Sequence, residues 1–96
     1  MNTTTRPQDR EFVTTTMGMQ MCHPNMNRPT LMSCEVYKTE KGYEVHTMAS
    51  RTCERISCVP TVYLTNDQWK ERDYDAYDDQ EKFFWFMNLI GCEFDN

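Results

Sequence analysis

The chain has 96 residues, the size of a single domain, and carries a formal net charge of −5. That charge excludes a general nucleic-acid binder, which needs a basic surface. Only 39% of the residues are hydrophobic, and no apolar run reaches the roughly 18 residues that span a bilayer. Any attachment to a membrane would therefore require an anchor that is not visible in this chain.

The N-terminal segment is polar. Residues 1–16 are rich in threonine and charged side chains, and we predict a disordered lead there, followed by one domain over residues 17–96. The segment has no apolar stretch of the kind that signals secretion. Met17, Met19 and Met21 alternate, which predicts one face of a short strand with methionines that fill the core.

Two β-rich runs form the clearest predicted element. Residues 31–37 read as a strand, Gly42 permits the turn that follows, and residues 43–49 read as a second strand, so the pair predicts a hairpin. A third β-rich run covers residues 59–65, and Pro60 places its start at an edge or a bend. Alternation in the second strand separates its side chains into two faces: Tyr43, Val45, Thr47 and Ala49 on one, and Glu44, His46 and Met48 on the other.

The last third of the chain carries the excess negative charge. Residues 67–82 mix acidic and aromatic side chains. A helix capped by Asn66 or Asp67 and an exposed loop both fit this composition. Residues 83–90 are apolar except at Asn88, and their length and aromatic content predict a buried strand.

Five cysteines are the most informative feature, because a small domain with a thin core often needs covalent cross-links. They are Cys22, Cys34, Cys53, Cys58 and Cys92. No pair has the C-x-x-C spacing of thiol oxidoreductases. Cys22 and Cys53 could join His23 and His46 around zinc only by coincidence of folding, so we predict no metal site.

The cysteines and the hairpin together suggest a family. Cys34, the hairpin through Gly42, the segment RTCERISC at 51–58 and the final GCEFDN at 91–96 follow one another in a characteristic order. From Cys34 onward the chain resembles the three-finger superfamily, which includes snake-toxin-like, lymphocyte-antigen-six and urokinase-receptor domains. It has fewer cysteines than that family usually has, so the resemblance is to a degenerate or truncated member.

The resemblance implies a small all-β, disulfide-stapled three-finger-like domain behind the disordered N-terminal lead. Carried over, the family's pairing joins Cys22 to Cys53 and Cys34 to Cys58, and leaves Cys92 as the odd thiol. The implied function is an extracellular or cell-surface binding module that contacts a receptor or another surface protein through its loops. Residues 67–82 correspond by position to the third finger, and the expected contact residues are Trp69, Asp73, Tyr74, Asp75, Tyr77, Asp78 and Asp79.

No catalytic motif is present. The sequence has no arrangement of nucleophile, base and orienting group, and no phosphate-binding loop. The spacing of its aspartates is not that of an EF-hand. We therefore expect no enzyme activity and no cofactor. The alternative function is an intracellular, partly disordered acidic interaction protein with reduced cysteines, which docks on a basic partner through residues 67–82.

Overall fold

The structure is a computed structural model that describes residues 10–92. Over these residues the chain forms short strands first and helices last. In chain order the elements are β1 (Glu11–Thr15), β2 (Met19–Met21), β3 (Thr30–Lys38), β4 (Gly42–Ala49), β5 (Glu54–Arg55), β6 (Val62–Thr65), α1 (Asn66–Arg72), a 3₁₀ helix (Tyr74–Ala76) and α2 (Asp79–Leu89).

The strands form one antiparallel sheet with β3 and β4 at its centre. The predicted hairpin is confirmed, with cross-strand pairs running from Met32 and Ala49 to Lys38 and Tyr43. Gly42 begins β4 with a positive φ, and a side chain there would collide with the backbone of Leu64. Glycine is therefore required at this point, where the backbone of β4 passes close to that of β6.

Each central strand pairs with two short strands in succession. β1 and β2 both pair with β3, and β5 and β6 both pair with β4. Of the alternating methionines, Met19 and Met21 lie in β2 and pack against the core, whereas Met17 precedes the strand and is 47% exposed. The edge run predicted after Pro60 is β6, and among the described strands it pairs with β4 alone.

The N-terminal boundary differs from the prediction. Residues 11–15 belong to the predicted disordered lead, yet they form β1. Thr16 continues this pairing, because its hydroxyl accepts a hydrogen bond of 2.9 Å from the N–H of Cys34. Polarity suggested disorder, but threonine, valine and phenylalanine also favour strands. Residues 1–9 of the lead lie outside the described residues.

One face of the sheet is covered by the helices. Met32, Cys34 and Val36 of β3, with Val45 and Thr47 of β4, are buried on that face. This confirms the alternation predicted for β4. α1 packs against β4 and β6, while α2 packs against β3. The core between the layers comprises Met32, Cys34, Val36, Val45, Val59, Leu64, Trp69, Tyr74, Phe83, Phe86, Met87, Ile90 and Cys92.

The predicted strand at residues 83–90 is wrong, because this run belongs to α2. Asp78 caps the helix. Its carboxylate accepts a hydrogen bond of 2.9 Å from the N–H of Glu81, and the Glu81 side chain accepts one from the N–H of Asp78. The buried residues of the run are Phe83, Phe86, Met87 and Ile90. They recur with helical period inside a run that is apolar at almost every position.

The first half of the acidic segment is also helical. Thr65 caps α1 through a reciprocal pair of hydrogen bonds with Gln68. Asp73 ends the helix in the left-handed conformation, with φ of 59°. The domain is therefore small and mostly antiparallel β-sheet, and its helices correct the all-β expectation. Within the described residues no helix is long and apolar enough to cross a membrane.

Over residues 10–92 the structure contains no disulfide. All five lie within the described residues and are free thiols, so neither Cys22–Cys53 nor Cys34–Cys58 is bridged in the structure. The disulfide-stapled part of the expected fold is thus unsupported. Cys34 instead fills part of the apolar core between sheet and helices.

Candidate functional site

The face of the sheet opposite the helices is open, and one row of side chains crosses it. Phe12 of β1 is paired with Tyr37 of β3, Tyr37 with Glu44 of β4, and Glu44 with Tyr63 of β6. Phe12 is 54% exposed and Tyr63 is 71% exposed. We call the row Phe12, Tyr37, Glu44 and Tyr63 the open-face row.

The centre of the row is held by a polar network. The Oε1 atom of Glu44 lies 3.1 Å from Nη1 of Arg10 and 3.1 Å from Nε2 of His46. The hydroxyl of Tyr37 donates a 3.0 Å hydrogen bond to Glu35. Burial, and then that hydrogen bond to Glu35, raise the pKa of Tyr37, so the hydroxyl stays protonated as a donor at neutral pH.

Contacts between aromatic rings also hold the Tyr37 side chain in place. The Phe12 and Tyr37 rings meet edge to face at 5.7 Å, and the Tyr37 and His46 rings meet edge to face at 5.5 Å. The guanidinium of Arg10 lies 5.5 Å from the centre of the Tyr37 ring. Tyr37 is therefore fixed by neighbours from β1, β3 and β4, which leaves little rotamer freedom to lose on contact with a partner.

The chemistry of this face suits binding. A shallow depression of about 240 Å³ is lined by Arg10, Glu35, Tyr37, His46, Met48 and Arg55. It offers charges of both signs and aromatic surface, and its one histidine contacts a carboxylate rather than a nucleophile. Across residues 10–92 no group of three or more histidine, cysteine or acidic side chains is placed to hold a metal ion.

Two of the predicted contact residues lie in the core. Trp69 is 2% exposed and Tyr74 is 3% exposed. Trp69 stacks on Tyr43 at 3.8 Å and donates a 3.0 Å hydrogen bond from Nε1 to Asp75. This burial corrects the expectation that Trp69 and Tyr74 contact a partner: they hold α1 and the 3₁₀ helix against the sheet.

The four predicted contact aspartates are exposed, and each has a position in the helical structure. Asp73 ends α1, and Asp75 accepts the hydrogen bond from Trp69. Asp78 caps α2, and Asp79 lies in its first turn, where a negative charge interacts favourably with the helix dipole. Each of these four aspartates therefore has a role within the helical structure, although the sequence suggested that they form a contact surface.

Tyr77, the remaining predicted contact residue, is half-buried, and its ring lies parallel to that of Trp85 at 6.2 Å. Tyr74 and Tyr77 border a cleft of about 510 Å³ that is also lined by Leu64, Gln68, Glu71, Arg72 and Leu89. The guanidinium of Arg72 lies 4.0 Å from the centre of the Trp85 ring, so this arginine is already engaged.

The thiols fall into two groups. Cys22, Cys53 and Cys58 are exposed, whereas Cys34 and Cys92 are buried. Burial raises the pKa of Cys34 to about 12, against the lowering effect of hydrogen bonds with Thr47 and Thr16. Burial also raises the pKa of Cys92, with a smaller contribution from the charge of Cys22. Cys92, the predicted odd thiol, is thus enclosed in the core.

Comparisons with protein-family models, with curated proteins and with solved structures found no match to the chain.

Proposed function

We propose that the chain is a binding module for another protein and that it contacts its partner through the open face of the sheet. The observation that carries this proposal is the open-face row, whose two outermost aromatic side chains are more than half exposed. Aromatic side chains are common anchors of protein interfaces, because they bury much area with few rotatable bonds.

The order around Tyr37 supports the same proposal. Its ring and hydroxyl are held by Phe12, Glu35 and His46. A partner would therefore meet a surface that needs little reorganisation. Glu44 in the row and Arg10 beside it carry opposite charges, which favours a specific orientation of the partner more than raw affinity.

The resemblance to the three-finger superfamily supports a location outside the cell, with a receptor or another surface protein as partner. The resemblance assigns contact to residues 67–82. We assign it to the open face instead, because Asp73, Asp78 and Asp79 act at helix ends, Asp75 accepts a hydrogen bond from Trp69, and both Trp69 and Tyr74 are core residues.

An intracellular interaction protein with reduced cysteines is the second candidate. The free thiols favour it, above all Cys34 and Cys92, which lie inside an apolar core. Gel mobility of freshly isolated native protein, alkylated and run with and without reductant, separates the two locations. Internal disulfides give a faster non-reduced band and support the extracellular candidate, whereas equal mobility supports the intracellular one.

Site-specific photo-cross-linking tests the binding surface. A benzophenone amino acid is placed at Tyr63 or at Phe12, and at the exposed Gln80 of α2 as a control. We expect both open-face positions to capture the same protein from an extract of the source organism, and Gln80 to capture none of it. Tyr37→Ala should reduce capture at position 63. Equal capture from Gln80, or capture unaffected by Tyr37→Ala in a folded variant, would contradict the proposal.

A further inference from the structure

A third concave surface lies at the end of the sheet where β3 begins and β4 finishes. It is a cleft of about 410 Å³, lined by Gln20, Arg28, Pro29, Thr30, Leu31, Ala49, Arg51 and Thr52. This volume is in the range of small-molecule sites. The cleft shares no lining residue with the open-face depression.

Some arginines of the described chain have a side-chain partner, and others have none. Arg10 pairs with Glu44, Arg55 donates a hydrogen bond to Thr61, and Arg72 lies over the ring of Trp85. The arginines that remain between residues 10 and 92 are Arg28 and Arg51, which have no ion pair, hydrogen bond or ring contact there. Both line the same cleft.

No acidic side chain lines the cleft within the described residues. The chain as a whole carries a net charge of −5. The two unpaired guanidinium groups therefore make this cleft positively charged, although the protein as a whole is negatively charged. The planar guanidinium of arginine binds the oxygens of phosphate through two parallel hydrogen bonds.

Neutral donors and an apolar wall complete the surface. Gln20 and Thr30 make no side-chain hydrogen bond within the described residues, so their donors are free for a ligand. Leu31, Ala49 and Pro29 add apolar surface. A ligand that carries an oxyanion beside an apolar group would match both parts of the lining.

The backbone around the cleft is fixed. Gln20 is paired with Leu31 across β2 and β3, and the N–H of Ser50 donates a 2.9 Å hydrogen bond to the carbonyl of Leu31. Arg51 follows directly after this anchored residue, and Arg28 lies two residues before β3. The two arginines therefore extend from segments tied to the same position of the sheet.

We propose that this cleft binds a small organic phosphate, with Arg28 and Arg51 contacting the phosphate oxygens and Leu31 and Ala49 contacting the apolar part of the ligand. This site is separate from the proposed protein-binding face and does not depend on it.

A titration of isotopically labelled protein, followed by amide chemical shifts at constant ionic strength, tests the site. The probes are phenyl phosphate, inorganic phosphate and neutral benzyl alcohol. We expect saturable shifts for the amides of residues 28, 30–31 and 49–52 with both phosphates. Phenyl phosphate should bind more tightly than inorganic phosphate, and benzyl alcohol should give no saturable shift.

Charge-matched variants separate this site from general attraction. Arg28→Gln and Arg51→Gln should each weaken phenyl phosphate binding at least about tenfold. Lys41→Gln removes the same charge from the exposed turn at the opposite end of the hairpin and should leave binding unchanged. The amide spectra verify that each variant is folded.

Three results would overturn the proposal. One is the absence of saturable shifts with either phosphate. Another is an equal loss of affinity in Lys41→Gln, which would indicate non-specific attraction. The third is equal affinity for inorganic phosphate and phenyl phosphate, which would contradict the assignment of an organic phosphate as the ligand.

Discussion

The Nε2 atom of His23 lies 2.6 Å from the carbonyl oxygen of Ile90, and this hydrogen bond joins residues that are 67 positions apart. The other ring nitrogen, Nδ1, accepts a 3.0 Å hydrogen bond from the N–H of Asn25. Because Nδ1 accepts, the proton is assigned to Nε2, which donates to Ile90. The ring is buried and ties the loop after β2 to the end of α2.

Replacing His23 should therefore destabilise the whole domain. We expect His23→Ala to lower the free energy of unfolding by about 1–3 kcal/mol, since the buried carbonyl of Ile90 loses its partner. Urea denaturation followed by circular dichroism measures this loss. His46→Ala is the matched control, because His46 contacts Glu44 near the surface of the open face and should cost less than about 1 kcal/mol. Equal losses in the two variants would contradict the role given to His23.

The aspartates of the acidic segment can be ranked by their structural contacts. Asp78→Ala removes the cap of α2 and should cost about 1 kcal/mol in unfolding free energy. Asp79→Ala removes an equal charge from the first turn without removing a cap hydrogen bond, and should cost less than about 0.5 kcal/mol after solvent screening. Thermal unfolding of both variants at one ionic strength compares them. If Asp79→Ala proves the more damaging change, Asp78 is not the cap.

Trp69 and Trp85 provide a test of the core. Trp69 is enclosed by Tyr43, Tyr74 and Phe86, so Trp69→Ala should cost about 3–5 kcal/mol and leave much of the chain unfolded. Trp85 is only partly buried, so Trp85→Ala should leave the fold intact at 25 °C. Near-ultraviolet circular dichroism distinguishes a packed core from a collapsed one. A well-packed Trp69→Ala variant would contradict the structural role given to Trp69 in the core.

The buried thiol of Cys34 predicts a loss of stability at alkaline pH. Its pKa rises from 9.0 to about 12 in the folded protein, mainly through burial. A folded-state pKa above the unfolded value leaves stability intact below pH 9 and lowers it as the pH rises toward 12. The slope from this group approaches about 1.4 kcal/mol per pH unit.

Unfolding of the reduced protein should therefore become easier between pH 9 and 11, and the slope should be shallower in Cys34→Ala. Comparing the two slopes removes the contribution of tyrosines and lysines that titrate in both proteins. In the native state at pH 8, iodoacetamide should modify Cys22, Cys53 and Cys58 well before Cys34. Identical slopes, or early alkylation of Cys34, would refute its burial as a neutral thiol.

The sheet could be predicted from the sequence where the alternation of apolar and polar side chains agreed with the position of turn residues. The hairpin of β3 and β4 has both signals, whereas the register that places Tyr37 opposite Glu44 is known only from the structure. The helical periodicity of α2 could not be recognised in the sequence, because residues 83–87 are apolar without interruption. The pattern Asp-x-x-Glu at 78–81 is a helix-start signal that could have corrected the prediction.

The open-face row was harder to predict, because its outer members come from strands that local patterns mark weakly. Phe12 lies in a polar, threonine-rich segment, and its pairing with Tyr37 depends on long-range packing. The cleft of Arg28 and Arg51 likewise depends on tertiary structure, since it joins the approach to β3 with the residues after β4. Sequence spacing alone does not show that these two arginines lack acidic partners.

The splitting of both outer strands has a consequence for the solution behaviour of the protein. One border of the sheet is made by β1 and β2 and the other by β5 and β6, and the longest of these pieces, β1, has five residues. A register shift between Phe12 and Thr14 further bends β1. Interrupted borders of this kind offer only short runs of backbone donors and acceptors to a second sheet, so the domain is protected against edge-to-edge aggregation while its aromatic face stays uncovered.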